Sequence, residues 1–269
     1  MRIVELLAPS PDISRIDAEV LLAFVLNQPR SFLYSHPEYQ LTPEQNEQFE
    51  CLCARRLEGE PIAYILGKKE FWSLELTVNK NVLIPRPETE LLVEIALNKI
   101  KNAEAVIADL GTGSGAIALA LASEHPGWTV IATDISEDAL KLARHNAAQL
   151  QLENIEFYCG DWCDILPNEK LDAIISNPPY IERNDPHLEQ GDVRFEPKIA
   201  LEAGDGLSEL QKIIVQAKER LKVGGFLILE HGYNQSKAVQ DLLAQNGYQK
   251  ITVYQDLAGI DRAVVVENN

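Results

Sequence analysis

The sequence predicts an α/β protein: a doubly wound domain with a mostly parallel sheet, preceded by a small helical domain and joined to it by a β-hairpin. Three observations predict this. Beyond residue 104 a strand, turn, helix pattern repeats, as in sheets covered by helices on both faces. Residues 1–66 carry helix-like periodicity with no strand pattern. Over residues 68–85 the apolar period shortens to two.

The elements follow in order. "SRIDAEVLLAFVLN" has Ser14 as N-cap with Asp17 three residues on, and apolar side chains at 16, 20, 21, 24 and 25. "TPEQNEQFECLCARRLEG" repeats the logic, with Thr42 as cap, Pro43 in the first turn, Gln45 at the capping-box position and Gly59 beyond the end. These features define a helical domain over 1–66. "FWSLELTVNKNVLI" reads as a hairpin with "NKN" as its turn, so 67–88 forms a hairpin and proline-rich linker. "PRPETELLVEIALNKI" starts a helix after two prolines and opens the domain 89–269. Within it "AVIADL", "TVIATD", "IEFYCGD", "LDAIIS", "GFLILEHG", "KITVYQD" and "RAVVVE" are the strands. Ligands in such sheets bind at the carboxyl ends of strands, where strand order reverses. The irregular stretch 181–207 is too long for a simple connection.

Composition narrows the class. The 269 residues are 46% hydrophobic and 24% charged, ordinary for a globular protein. No apolar run approaches the roughly 18 residues of a membrane span, and "MRIVELLAPSPDISRID" does not read as a signal peptide. A cytoplasmic location is expected, which suits four reduced, structural cysteines (Cys51, Cys53, Cys159, Cys163) without metal-ligand spacing. The formal charge of −17, with no Lys/Arg run beyond two, argues against a surface that grips nucleic acid directly. Nothing calls for an obligate dimer, and a monomer is expected.

"ADLGTGSGAIALALA" places Gly111, Thr112, Gly113, Ser114 and Gly115 between a strand and a helix, where a ligand can approach bare main chain and a helix N-terminus. Asp134 ends the next strand, where a carboxylate can hold two ribose hydroxyls. The turn also satisfies the dinucleotide pattern, so alone it indicates only a nucleoside-bearing cofactor. Asp109 tips the balance: a carboxylate there repels a pyrophosphate and attracts a cationic amino-acid end. S-adenosyl-L-methionine, with an ammonium and a sulfonium, suits it better than NAD. The competing structural role for Asp109 is capping of the turn. In "CGDWCD", Asp161 can accept from an adenine amino group and Trp162 can pack on the adenine ring or in the core.

"SNPPYI" carries the chemistry. Two prolines after a central strand fix two φ angles and form a rigid tongue at the strand's carboxyl end. The Asn177 side-chain oxygen and the Pro178 carbonyl can accept both hydrogens of a planar –NH₂ group. That grip turns a weakly nucleophilic nitrogen toward an electrophile. Pro179 stiffens the tongue, and Tyr180 can pack against the flat group bearing the nitrogen.

"DLGTGSG", "ATDIS", "GDW" and "SNPPYI", in this order, resemble the class I S-adenosylmethionine-dependent methyltransferases that act on planar amino nitrogens. "EPIAYILGKKEFWSLELTVNKNVLIPRPETELLVE", "VRFEPKIALEAGDGL" and "RIDAEVLLAFVLN" are similar to segments of the PrmC/HemK family, the peptide chain release factor N5-glutamine methyltransferases. The resemblance covers essentially the whole chain. It implies a seven-stranded sheet with an antiparallel last strand. It also implies cofactor binding by Gly111 to Gly115, Asp134, Trp162 and Asn177, and substrate binding by Asn177, Pro178, Pro179 and Tyr180. The substrate implied is the glutamine of the Gly-Gly-Gln loop of class I release factors, docked by the helical domain. In "IPRPETE", Arg86 and Glu88 are expected to act as a lid over the cofactor crevice, or to lie in a rigid linker. Three alternatives stand beside this reading: methylation of a nucleobase amino nitrogen in RNA or DNA, an NAD-dependent oxidoreductase, and a non-catalytic cofactor-binding scaffold.

Overall fold

The computed structural model describes residues 1–8 and 13–269. The chain forms two compact units: residues 1–68 with 189–195, and residues 69–188 with 196–269.

Among the described residues the first unit holds the α-helices α1 (Ile3–Leu6), α2 (Arg15–Leu26), α3 (Arg30–Ser35), α4 (Pro43–Leu57) and α5 (Ile62–Leu66). The expected caps form. Ser14 Oγ accepts from the Asp17 N–H, and Thr42 and Gln45 make a reciprocal capping box. The buried face of α2 differs from the expected one. Ala18, Leu21, Leu22 and Leu26 enter the core, whereas Ile16 and Phe24 are exposed. Apolar side chains surround most of this helix, so periodicity alone does not choose a face.

Among the described residues of this unit, one charged side chain is buried. Glu19 is only 2% exposed and accepts hydrogen bonds from Arg15 (3.0 Å), Arg30 (2.6 Å) and Tyr34 (2.7 Å). The bonds from Arg30 and Tyr34 hold its carboxyl down to about 2, against the opposing effect of burial.

A hairpin follows, β1 (Lys68–Phe71) and β2 (Leu74–Thr77), which from Lys69 onward belongs to the second unit. Its turn is Trp72–Ser73, not "NKN". Both turn residues have positive φ (+52° and +60°), as a two-residue hairpin turn of this hand requires. Asn-Gly would satisfy that geometry without help. Here the Trp72 backbone N–H is held by Glu90 (2.8 Å) and its indole N–H by Glu124 (2.7 Å), so tertiary bonds hold a turn that propensity does not favour. "NKN" instead forms a separate turn, with Val82 N–H donating to the Asn79 carbonyl. Phe71 and Leu76 of the hairpin belong to the core of this unit.

The sheet comprises β3 (Val106–Leu110), β4 (Thr129–Asp134), β5 (Ile155–Cys159), β6 (Leu171–Ser176), β7 (Leu221–Glu230), β8 (Gln249–Gln255) and β9 (Asp261–Glu267). Its order is β5-β4-β3-β6-β7-β9-β8, with β9 antiparallel to both neighbours and the other pairs parallel. One face is covered by α6 (Glu90–Lys99) and the alanine-rich α7 (Ala116–Glu124), buried from Ala116 to Ala122. The other is covered by α9 (Ser208–Arg220) and α10 (Ser236–Gln245). α8 (Glu137–Gln149) packs beside β4 and β5. Strand order reverses between β3 and β6, so the crevice for a ligand opens at their carboxyl ends. Among the described residues no helix is long and apolar enough to cross a membrane, and the four cysteines are free thiols.

The Glu19 cluster sets a stability expectation. Glu19→Gln should lower the unfolding free energy by about 1.5–3 kcal/mol at neutral pH, because bonds to a charged acceptor are weakened. The folded carboxyl is depressed to about 2, so its contribution is complete above the ordinary glutamate range and is lost as pH falls toward 2. Urea unfolding of the full chain across that window should show a loss in the parent that is absent from the variant.

Candidate active site

A cavity of about 310 Å³ lies at the carboxyl ends of β3, β4 and β6. The glycine turn forms its floor. Gly111, Gly113 and Gly115 have φ of +72°, +57° and +88°, and the Gly111 and Thr112 N–H groups donate to the Thr133 carbonyl. A Cβ on Gly113 would project into open space, whereas one on Gly115 would meet Leu119 Cδ1 at 2.8 Å and Ala143 Cβ at 3.3 Å. Gly115 therefore permits close helix packing, and Gly113 leaves main chain bare to the cavity.

The carboxylates around the turn differ in role. Asp134 lines the cavity, accepts from Gly113 N–H and Ser136 N–H (both 2.9 Å), and has its carboxyl raised by burial. Asp109 is 1% exposed and does not line the cavity. One of its oxygens accepts from the Thr112 hydroxyl (2.6 Å) and Ala118 N–H (3.2 Å), while the other has no partner among the described residues. Burial first, then the neighbouring Asp134 charge, pushes Asp109 up to about 7. Asp109 thus caps the turn and keeps a buried, unanswered acceptor. Ser114 is buried, and its carbonyl accepts from Asn146 Nδ2 (2.9 Å).

Opposite the turn, Asp161 and Trp162 line the cavity. The Trp162 ring lies where a Gly111 Cβ would approach it to 3.2 Å, and its indole N–H donates to Glu209 (2.8 Å). Asn177 and Pro179 line the third side, whereas Pro178 is buried. Tyr180 is half-buried. Its hydroxyl donates to Glu230 (3.1 Å), and its side chain packs on the sheet core rather than lining the cavity.

Two residues that sequence reasoning missed join this tongue from elsewhere. Asn177 Nδ2 donates to Thr89 Oγ1 (3.0 Å), and Thr89 donates to Glu230 Oε2 (2.7 Å). Burial raises the Glu230 carboxyl to about 7. A carboxylate ending the otherwise apolar "GFLILE" strand was the available signal. Of the expected lid pair, Arg86 bonds Glu196 (2.6 Å) and Glu88 is exposed, and neither lines the cavity. Asn81, Val82 and Leu83 line it from the same segment, with Ile199, Ala200 and Glu202 of the long loop.

A family model for the PrmC N-terminal domain matches residues 2–67, and one for a methyltransferase domain matches 101–262. The chain is 52% identical over 253 residues to the release factor glutamine methyltransferase of Coxiella burnetii, covering 93% of this chain and 91% of that protein. It belongs to the release factor glutamine methyltransferase family. The Escherichia coli release factor glutamine methyltransferase is 47% identical over 252 residues, with 93% and 91% covered. Among solved structures, the hMettl16 catalytic domain in complex with the MAT2A 3'UTR hairpin 1 aligns with a TM-score of 0.62. The two share 16% identity, with 92% of this chain and 91% of that one covered, a likeness of fold alone.

The cavity of this methyltransferase fits S-adenosyl-L-methionine on two observations. Its wall combines carboxylates with the apolar surfaces of Ile135 and Trp162, as a ribose and a flat base require. The unpartnered Asp109 oxygen beneath the turn matches a cationic amino-acid end, which a pyrophosphate cannot supply. The glycines also separate in effect: Gly115→Ala should destabilise the fold by about 1–3 kcal/mol through strain and contact with Leu119. Gly113→Ala should cost only the backbone strain, about 1 kcal/mol. Urea midpoints compare the two, and equal shifts would contradict the packing role.

Proposed function

We propose that this chain transfers the methyl group of S-adenosyl-L-methionine to the side-chain amide nitrogen (N5) of the glutamine in the Gly-Gly-Gln loop of class I peptide chain release factors. The observation that carries the reading is Asn177 at the cavity wall, with its Nδ2 engaged by Thr89 and its oxygen free among the described residues.

The cofactor supplies an electrophilic methyl on a sulfonium. The chain's own residues bind and orient. Asp134 takes the ribose hydroxyls; Gly111, Thr112, Gly113, Ser114 and Gly115 offer main chain to the amino-acid end; Asp109 supplies the countercharge beneath it. Asp161 and Trp162 take the adenine. At the substrate, the Asn177 oxygen and the Pro178 carbonyl accept both hydrogens of the glutamine –NH₂. Pro179 keeps the tongue rigid. Tyr180 braces the tongue from behind through Glu230. An amide nitrogen is a poor nucleophile because its lone pair is delocalised. Holding its hydrogens favours the pyramidal geometry in which the pair is available, and the same acceptors stabilise the positive charge that develops. No strong base is needed, because the nitrogen becomes acidic once alkylated. The helical unit over 1–66 docks the rest of the protein substrate, while Arg86 and Glu88, which do not line the cavity, belong to the proline-rich linker.

Labelled cofactor offered separately with release factor, RNA and DNA tests the substrate, with label expected on release factor alone. Three substitutions at two positions test the residues. Asp134→Ala should weaken cofactor binding far more than it slows the bound complex. Ribose bonds act equally on ground and transition states, and each bond to a charged acceptor is worth roughly 1.5–3 kcal/mol. Calorimetric affinity at the parent value would rule out the ribose role. Asn177→Ala should fold normally yet lose on the order of 10²–10³ in single-turnover rate at saturating cofactor. Asn177→Asp, which still accepts, should retain part of that rate.

A further inference from the structure

Asn177 presents two chemically opposite ends, and which one faces the substrate decides what the site can hold. The local bonding settles that choice. Glu230 is 1% exposed at the carboxyl end of β7 and accepts from two hydroxyls, Thr89 (2.7 Å) and Tyr180 (3.1 Å). An ionised carboxylate can only accept. The single Thr89 hydrogen is therefore committed to Glu230, and the Thr89 oxygen can offer Asn177 only a lone pair. Asn177 must then turn its NH₂ toward Thr89, at 3.0 Å, and its oxygen away. Thr89 is itself buried, so no water competes for this geometry.

We propose that Thr89 and Glu230 are positioning residues that set the Asn177 carboxamide with its oxygen toward the cavity, so that the tongue selects a group with two N–H donors. This rests on the amide-holding role of Asn177 proposed above. Neither residue touches substrate; both act through Asn177.

The relay has a built-in polarity. A protonated Glu230 can donate its hydrogen to Thr89. The Thr89 hydroxyl is then free to donate to Asn177, which favours the opposite amide orientation, with NH₂ in the cavity facing NH₂ of the substrate. The charged groups around Glu230 are Arg262 of β9, which favours its ionised form, and Glu88, which opposes it. Tyr180 and Thr89 bond it directly, and the adjacent His231 is held toward its neutral form by burial. Burial dominates and lifts the Glu230 carboxyl to about 7, so both states are reached near neutrality. Methyl transfer should accordingly rise with pH as Glu230 loses its proton.

The test uses the full-length enzyme, release factor and S-adenosyl-L-methionine, with kcat, KM and equilibrium cofactor affinity measured separately. Thr89→Val keeps the shape and removes the relay. Its kcat should fall roughly 10- to 100-fold through misorientation, with KM and cofactor affinity within about threefold of the parent. Thr89→Ser restores the hydroxyl and should recover kcat. Glu230→Gln supplies a neutral acceptor for Thr89 and a donor for Tyr180, so it should remain active and lose the acid fall in kcat between about pH 6 and 8. Parent-like kcat in Thr89→Val, with Asn177→Ala inactive, would overturn the relay and leave the amide grip standing. An acid limb persisting unchanged in Glu230→Gln would also overturn it, and would assign that titration elsewhere, Asp109 being the other carboxyl near the site raised to about 7. Full activity in Asn177→Ala would instead remove the grip on which the relay rests.

Discussion

The parallel pairing of β3 with β6 is the constraint on which the site depends. Leu110 stands opposite Ser176, and the Ser176 hydroxyl bonds the Leu110 carbonyl at 2.7 Å, fixing register at the last residue of each strand. The next residue on β3 is Gly111 and the next on β6 is Asn177. Because strand order reverses there, the chain leaves β3 into the glycine turn and leaves β6 into the proline tongue. Glycine turn and proline tongue thus face one crevice. A slip of one residue would exchange Ile174 and Ile175 between the two apolar cores, so the Ser176 bond, rather than hydrophobicity, distinguishes the registers. The Ser176–Leu110 bond therefore helps fix the position of Asn177, the residue that follows.

Around this crevice the protein keeps buried carboxyls without ion-pair partners. Asp109 and Glu230 are each 1% exposed and both are raised by burial. A stable core would replace them with apolar groups or pair them with a cation. Asp109 instead divides its role between capping the turn and holding an acceptor in reserve. Glu230 spends its acceptors on Thr89, at the start of α6, and on Tyr180, the last residue of the tongue. Both arrangements impose cost on the folded chain in exchange for fixed polar geometry, as expected where a site is preorganised.

Much of this was legible in the sequence, and the exceptions have physical causes. The strand and helix alternation, the glycine turn and "NPPY" are local signals, since each motif's geometry follows from its own residues. The hairpin turn was not legible, because Trp72–Ser73 adopts its conformation through bonds to Glu90 and Glu124, far along the chain. The buried face of α2 was not legible, because Ile16 and Leu22 look alike to periodicity while only one meets the core. Thr89 and Glu230 lie 88 and 53 residues from Asn177 (177 − 89 and 230 − 177), and they meet it only through the fold. Their neighbours Glu88 and Arg86 drew attention instead, since charge is visible in a sequence and a relayed hydroxyl is not.

The account's central claim is that the tongue after β6 holds a carboxamide nitrogen for methylation. The most direct measurement is tandem mass spectrometry of release factor after one turnover with isotope-labelled S-adenosyl-L-methionine. The account predicts a single added methyl, localised to the side-chain nitrogen of the Gly-Gly-Gln glutamine. A methyl on a carboxyl, thiol or hydroxyl group, or label recovered only in nucleic acid, would contradict it.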